Sequence, residues 1–290
     1  MEFLRKLLHT TQSDDNINEE AAALKQQGIK ALQAGNAEQA VALLSKSVEK
    51  VDDLETRDYL AQALIKNDEL LPAFKQLALL LKHEPDNLHI LVTMAHIAAR
   101  TQDYYAMGDV CNQALKLAPD NDEVNYLAAV ADNGKGDFIT CVALLTKALA
   151  LNADNADAYL LRGQVLLKLH DAHTALADAS HALQLMPDSK DALLLKAQAL
   201  EAMGKHAEAI DEYGRVIELD PYCVQAFRER GAIKLATGDK QGAEADMESV
   251  LELNPQLIKK VTGHYDAEGQ EDIQRVIEKA RKRYGMGKKQ

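Results

Sequence analysis

Small residues recur along the chain at a constant spacing inside stretches that are otherwise rich in Ala and Leu. Each unit of about 34 residues has one small residue on a first helical stretch and another twelve places later on a second. Two helices can approach closely only where small side chains stand at their crossing. The pattern therefore predicts a series of helix-turn-helix units. The small residues are Gly28, Ala61, Ala95, Ala129, Gly163, Ala197 and Gly231 on the first stretches, and on the second they are Ala40, Ala73, Ala175, Ala209 and Ala243, with Met107 and Cys141 at the two remaining places.

Proline marks the ends of these units. Five of the six prolines lie 34 or 68 residues apart, at positions 85, 119, 187, 221 and 255. Because proline lacks a backbone N–H, it ends the second helix, and the Asp-Asn or Asp-Ser pair that follows three of these prolines provides an N-cap for the next helix. The sixth, Pro72, opens a second helix, where the missing N–H costs little.

The spacing divides the chain into three parts. Residues 1–19 are expected to form a short amphipathic helix and a polar link, residues 20–257 an array of seven units, and residues 258–290 a capping helix and a basic tail. A repeat array needs caps because its terminal units would otherwise expose an apolar face. The predicted units are 20–53, 54–87, 88–121, 122–155, 156–189, 190–223 and 224–257.

The repeated unit resembles the tetratricopeptide repeat (TPR). The resemblance is clearest in residues 204–221, GKHAEAIDEYGRVIELDP, and in residues 158–188, and it extends over residues 20–257. It implies an all-α fold: a right-handed superhelical α-solenoid of about seven repeats with N- and C-terminal capping helices, whose first helices line a concave groove. Since the family serves many partners, the resemblance is specific for fold and not for function.

Composition and charge indicate which kinds of partner and location to expect. The chain has no Trp and four Phe, which together with abundant Ala and Leu favours helices over sheets. Its net charge of −12 would repel phosphate backbones, so no nucleic-acid partner is expected, although residues 258–290 hold nine basic and five acidic side chains. No apolar run approaches the ~18 residues that span a bilayer. We therefore expect no membrane insertion and a cytoplasmic location.

The chain carries no pattern typical of a catalytic centre. Phosphate-binding loops, dinucleotide fingerprints and hydrolase motifs are absent from the sequence. His170, His173 and His181 have a spacing that a metal could use, but the first two fall in a turn, so solvated histidines are expected. Cys111 and Cys141 occupy core positions, as buried free thiols would. The sequence thus predicts a protein that is not an enzyme, with no catalytic residues, no cofactor and no metal site.

A candidate peptide groove follows from helix geometry. On each first helix the fourth, eighth and eleventh residues face the partner helix, so the fifth and ninth point away from it. The fifth residues form an apolar row and the ninth are mostly amides, which suit the side chains and backbone of an extended peptide. Packing between repeats is the alternative interpretation of the apolar row. The predicted groove residues are Gln62, Val92, His96, Tyr126, Leu160, Gln164, Leu194 and Gln198.

Acidic residues stand second on four of these helices, at Glu55, Glu123, Asp157 and Asp191. They form an acidic edge to the groove, and they also suit the positive end of each helix dipole without any ligand.

The fourth unit departs from the pattern. Asn125 and Asp132 occupy places where the other units have large apolar residues. Buried polar groups without partners cost about 1–3 kcal/mol each. Either this unit forms a loosened joint, or a partner group satisfies its polar side chains.

The favoured hypothesis is a non-enzymatic protein–protein interaction scaffold that binds an extended peptide or protein segment in the concave groove. One alternative is a heat-shock-protein co-chaperone, although the carboxylate clamp that the resemblance implies does not fit: Lys25 is followed by Ile29 where the clamp needs Asn. The other alternative is a homo-oligomeric assembly or adaptor protein. The sequence names no partner.

Overall fold

The computed structural model describes the backbone of residues 2–254 and the side chains of residues 16–254. Across that backbone the chain forms fourteen α-helices and no strand, which confirms the all-α prediction. The helices are α1 (Glu2–Gln33), α2 (Ala37–Lys50), α3 (Leu54–Lys66), α4 (Leu70–His83), α5 (Leu88–Arg100), α6 (Tyr104–Leu117), α7 (Asp122–Lys135), α8 (Phe138–Leu151), α9 (Ala156–Lys168), α10 (Ala172–Leu185), α11 (Lys190–Ala202), α12 (His206–Leu219), α13 (Val224–Ala236) and α14 (Lys240–Leu253).

The chain divides into two compact units. Unit 1 comprises Met1–Leu151 and unit 2 comprises Asn152–Gln290. In each unit the odd-numbered helices are the first helices of the repeats and the even-numbered helices are the second. The predicted C-terminal capping helix and basic tail lie outside the described residues.

The N-terminal segment differs from the expected short helix and polar link. Helix α1 runs without interruption over 32 residues, through the polar segment Thr10–Asn16. This segment contains neither glycine nor proline, so nothing in it stops a helix that has already begun.

Three first helices begin at the side-chain cap that the proline pattern predicted. The side chains of Asn87, Asn121 and Ser189 accept hydrogen bonds from the backbone N–H three residues ahead. Asn155 does the same in the unit that lacks the proline. These caps satisfy N–H groups that have no partner inside the helix.

The turn between the two helices of each repeat contains one residue in the left-handed region. Four of these residues are glycines, and the others are Asp68, Gln102 and His170, with φ between 57° and 63°. His170 is therefore explained by its turn, and it is exposed. Asx-type and glycine residues are the usual occupants of this conformation.

A repeated ion pair joins the two helices of every repeat in unit 2. Arg162 donates to both carboxylate oxygens of Asp178, at 2.9 and 2.7 Å. Thirty-four residues later Lys196 Nζ donates to Glu212 at 2.6 Å. The next repeat again has a bidentate arginine, Arg230, on a buried aspartate. We call these the three intra-repeat ion pairs.

The acids of the two arginine pairs are deeply buried. Asp178 is 1% exposed and Asp246 is 3% exposed, and Asp246 also accepts from Lys234 Nζ at 2.9 Å. In unit 1 the equivalent places carry no ion pair: two repeats have apolar residues there, Met94 with Val110 and Ala128 with Leu144, and the first two repeats each have one glutamine, Gln27 or Gln76. The repeats of unit 2 therefore join their helices by charged groups where those of unit 1 have uncharged ones.

The polar residues of the fourth repeat have partners within the chain. The buried Asn125 donates from Nδ2 to the carbonyl oxygens of Pro119, at 2.8 Å, and Asn121, at 2.7 Å. Asp132 pairs with Lys135 Nζ at 2.7 Å. The structure thus favours satisfied polar groups over a loosened joint. One atom is an exception: Asn125 Oδ1 is buried and makes no hydrogen bond to the described residues.

In unit 1, Asp53 links α1 to the start of α3. Its carboxylate caps α3 by accepting from the Thr56 backbone N–H at 3.1 Å, and it accepts from Lys25 Nζ at 2.7 Å. The hydrogen bond from Lys25, followed by that from the Thr56 hydroxyl, lowers the pKa of Asp53 to about 2. The ionised carboxylate therefore stabilises the folded state.

We expect this stabilisation to disappear in acid. The folded pKa of Asp53 lies below its unfolded value, so the contribution is complete above the unfolded pKa and is lost as the pH falls through the folded pKa. Asp53→Asn keeps a good N-cap but cannot titrate. The wild type should exceed this variant in thermal stability at pH 6, and the difference should shrink steadily between pH 5 and the folded pKa of about 2. A constant difference over this range would contradict the assignment.

Candidate functional site

The eight predicted groove residues divide between the two units. In unit 1, Gln62 donates to Asp58 on its own helix at 2.8 Å, and Val92 packs against the apolar core. His96 Nε2 lies 2.9 Å from Glu123 Oε1, and Tyr126 is half-buried. In unit 2, three of the four predicted residues come together in one cleft.

This cleft has a volume of about 530 Å³ and lies between the C-terminal half of α9 and residues 191–198 of α11, with one residue from α13. We call it the unit 2 cleft. It is lined by the predicted residues Gln164, Leu194 and Gln198 and by Leu167, Lys168, Asp191, Leu195 and Gln225. The fourth predicted residue of unit 2, Leu160, is half-buried and is not part of the lining.

Three side-chain amides give the cleft its hydrogen-bonding capacity. Gln164, Gln198 and Gln225 make no side-chain hydrogen bond to any residue that the structure describes. Each amide can donate twice and accept twice. The cleft can therefore bond to both the N–H and the C=O groups of an extended backbone.

Leucines provide the apolar part of the cleft. Leu195 is 1% exposed, whereas Leu194 is half-buried and also packs against the core of unit 2. Leu194 thus lines the cleft and also packs against the core of unit 2. A substitution of Leu194 would change folding and binding together.

Two opposite charges stand in the lining. Asp191, in the first turn of α11, is exposed and forms no hydrogen bond or ion pair with the described part of the chain. Lys168, in the last turn of α9, is engaged in an interaction within the protein. Of the two charged residues in the lining, Asp191 is therefore the one that makes no hydrogen bond or ion pair with the described residues.

Sequence reasoning missed five lining residues. Leu167 and Lys168 end one first helix, while Asp191 and Gln225 stand second on later first helices. The pattern of a single helix predicts only the residues on one of its faces, and it places Asp191 in an acidic edge. A cleft between two successive first helices is lined by the last residues of one helix and by the first residues of the next. Comparing the end of each first helix with the start of the next first helix in the sequence could have predicted these residues.

The described cysteines and histidines have individual structural roles or environments. Burial raises the pKa of the Cys111 thiol to about 12, so it is protonated at neutral pH and cannot act as a nucleophile. His181 stacks on the Tyr159 ring, with ring centroids 5.1 Å apart. Among the residues that the structure describes, no group of three or more His, Cys, Asp or Glu side chains could hold a metal ion.

A search of the described helices for membrane spans found none that combines the length and the apolar character needed to cross a bilayer.

Two family models match parts of the chain. Residues 194–258 match the tetratricopeptide repeat model, and residues 135–216 match the model of anaphase-promoting complex, cyclosome, subunit 3. No curated protein sequence matches the chain.

Solved TPR structures share the fold at low sequence identity. A tetratricopeptide repeat protein from Parabacteroides merdae is 16% identical with a TM-score of 0.62, over 89% of this chain and 99% of that one. The C-terminal part of a TPR repeat-containing protein from Cytophaga hutchinsonii is 14% identical with a TM-score of 0.64, over 82% of this chain and 100% of that one.

A third structure, YrrB, is described as a TPR protein with an unusual peptide-binding site. It is 20% identical with a TM-score of 0.55, over 62% of this chain and 92% of that one. The helix pairs with their 34-residue period, the repeat model over residues 194–258 and these structures lead to one conclusion: the described part of the chain has the fold of a tetratricopeptide repeat array.

Proposed function

We propose that this protein is a non-enzymatic interaction scaffold that binds an extended peptide segment in the unit 2 cleft. The observation that carries the proposal is the set of three glutamine amides in one cleft with no hydrogen-bond partner among residues 16–254. An extended peptide presents backbone N–H and C=O groups in alternation, and amide side chains can bond to both. The leucines beside these amides would contact apolar side chains of the same peptide.

The comparisons support the class of function and leave the partner open. YrrB has a peptide-binding site by its own description and shares the fold with this chain. Among the described residues, no group of three or more His, Cys, Asp or Glu side chains could hold a metal ion, and burial keeps the Cys111 thiol protonated. A cytoplasmic location stays a prediction from the sequence.

The experiment selects short linear peptides from a random display library on the full-length protein and measures their affinity by fluorescence anisotropy. The test variant is Gln164→Ala with Gln198→Ala. Both side chains are at least partly exposed and bond to no described residue, so their truncation should leave the fold intact. We expect the selected peptides to bind this variant about tenfold more weakly, because each lost hydrogen bond leaves a peptide group unpaired.

The matched control is Gln184→Ala. Gln184 is an exposed glutamine on the second helix α10 and does not line the cleft. Affinity should be unchanged in this control. Equal affinities in the wild type and the double variant would show that peptides do not use the unit 2 cleft.

A further inference from the structure

Three consecutive second helices of unit 1 each begin with a pair of large apolar residues. The pairs are Leu70 with Leu71 on α4, Tyr104 with Tyr105 on α6, and Phe138 with Ile139 on α8. The second member of each pair lies in solvent: Leu71 is 65% exposed, Tyr105 is 77% exposed and Ile139 is 71% exposed. We call these three exposed residues the unit 1 apolar row. Because the repeats of an array stack in the same way, residues at equivalent places follow one another along one edge.

The fold does not require apolar side chains at the places of the row. The other four second helices have no large apolar residue there, and their residues are Glu38, His173, Ala207 and Gln241. The first member of the pair is the one that packs: Leu70 and Tyr104 contact the core of unit 1, and a Cβ added to Gly134 would overlap the Tyr104 ring. Large apolar residues that are exposed without a role in packing are typical of an interaction surface.

A carboxylic acid comes directly before each pair in the sequence. These acids are Glu69, Asp103 and Asp137. Asp103 and Asp137 accept hydrogen bonds from the backbone N–H groups three residues ahead, at 3.0 and 3.2 Å, as N-caps do. The hydrogen bonds from Thr140 lower the pKa of Asp137, and the charge of Lys135 adds a smaller effect, so this carboxylate is ionised at neutral pH. The apolar row is therefore accompanied by negative charges.

Bases at the ends of the preceding first helices do not pair with these three acids. Arg100 pairs instead with Asp68, and Lys135 Nζ pairs with Asp132 at 2.7 Å. Lys66, in the last turn of α3, forms no ion pair with the side chains that the structure describes. The acids beside the row can therefore pair with cations of a partner.

We propose that the unit 1 apolar row and its three acids dock a protein segment that carries apolar side chains together with Lys or Arg residues. The row lies on second helices of unit 1, whereas the unit 2 cleft is formed by first helices, so this inference goes beyond the proposed function. Apolar side chains of the segment would cover the row, and its basic residues would pair with the acids at the rim.

The charges also select among the other occupants of such a surface. The same face of a second copy would bring acid against acid, and an anionic lipid surface would meet charges of its own sign. A basic and apolar protein segment meets neither repulsion. Charge complementarity therefore favours this occupant.

The test measures binding of a labelled amphipathic peptide of Leu and Lys to the full-length protein by fluorescence anisotropy. We expect this peptide to bind, and a peptide with Glu in place of every Lys to bind at least tenfold more weakly. The triple variant Leu71→Ser, Tyr105→Ser and Ile139→Ser should bind the Leu and Lys peptide at least tenfold more weakly than the wild type. Since all three side chains are exposed, thermal unfolding should be nearly unchanged.

A second variant tests the acids separately from the row. Asp103→Asn with Asp137→Asn keeps two good N-caps and removes two charges. Binding of the Leu and Lys peptide should weaken by about threefold or more, and its dependence on salt should become shallower. Undiminished binding would show that the acids do not recognise the partner and would overturn the basic preference.

The matched control is Tyr222→Ser, because Tyr222 is also 77% exposed but lies in unit 2, outside the row. Its affinity for the peptide should equal that of the wild type. Equal affinities in the wild type and the triple variant would show that the peptide binds through net charge alone and would overturn the proposal. If the triple variant instead lost self-association in sedimentation, or binding to anionic vesicles, while keeping the peptide, the occupant would be a second copy or a membrane, and the proposal would be wrong.

Discussion

Replacing Asp178 by valine should destabilise the repeat formed by α9 and α10 by about 3–5 kcal/mol, because it removes the buried carboxylate that accepts two hydrogen bonds from the Arg162 guanidinium. Asp178 is 1% exposed and takes both hydrogen bonds of the arginine fork. The Arg162 side chain is itself only 15% exposed, so water cannot fully replace the lost carboxylate. The single substitution thus removes the neutralising carboxylate from beside a buried guanidinium.

The double variant Arg162→Met with Asp178→Val should recover most of this loss. It installs the pair that unit 1 has at the same places, Met94 with Val110. Exchanging a buried ion pair for apolar residues of similar volume is often neutral or stabilising, because the desolvation penalty of both charges disappears. The large loss in the single variant therefore measures the cost of keeping Arg162 without Asp178, and not the net value of the pair.

Hydrogen exchange measured peptide by peptide is the suitable readout, since repeats can open individually and a global midpoint would average them. Amides of α9 and α10 should lose protection in the single variant and regain it in the double variant. Amides of α13 and α14, whose own ion pair is unchanged, serve as the internal control. A double variant as unprotected as the single one would show that the ion pair itself stabilises this repeat.

Gly28→Ala should destabilise the protein, although alanine occupies the corresponding place in four other repeats. A Cβ at Gly28 would lie 2.6 Å from Leu44 Cγ and 2.9 Å from its Cδ2. Leu44 is 0% exposed, so it has no free space into which to move. We expect a net loss of about 1–3 kcal/mol from overpacking, larger than the ~1 kcal/mol that alanine gains over glycine inside a helix.

Gly214→Ala is the matched control with the opposite sign. Gly214 also lies inside a helix, α12, but the nearest atom to an added Cβ is Arg230 Nη1 at 3.6 Å, an ordinary contact. Only the gain in helix propensity remains, so this variant should be more stable by about 0.5–1 kcal/mol. Thermal unfolding of the two variants should therefore move in opposite directions. A Gly28→Ala variant as stable as Gly214→Ala would contradict the predicted overpacking.

Most of the helices could be predicted from residues that are close together in the sequence. The period of the small residues and prolines indicated the helix pairs, and Asn121 and Ser189 cap their helices as the Asp-Asn and Asp-Ser pairs suggested. The extent of α1 was not predictable in the same way. A polar segment without glycine or proline is compatible with a link or with a helix, and the N-terminal sequence contained nothing that chose between them.

The candidate site was predictable only in part, because it depends on pairs of helices. Gln164 and Gln198 follow from the face of a single helix, and both line the cleft. Asp191 and Lys168 line the cleft because α9 and α11 lie side by side. The pattern of residues along a single helix cannot predict this packing. The same holds for Arg162 and Asp178, which are 16 residues apart and meet only once the repeat has folded.

The intra-repeat ion pairs have a consequence for how such an array can change length during evolution. Arg162 and Asp178 both fall within the predicted unit 156–189, and each of the two following units likewise contains its own base and acid. A duplication or deletion of one of these units would carry both charges together, so no buried charge would be orphaned. The pairs of unit 1 that join consecutive repeats, Lys25 with Glu55 and His96 with Glu123, would be separated by the same event. Whole-unit insertion should accordingly be inherited more readily among residues 156–257 than among residues 20–121.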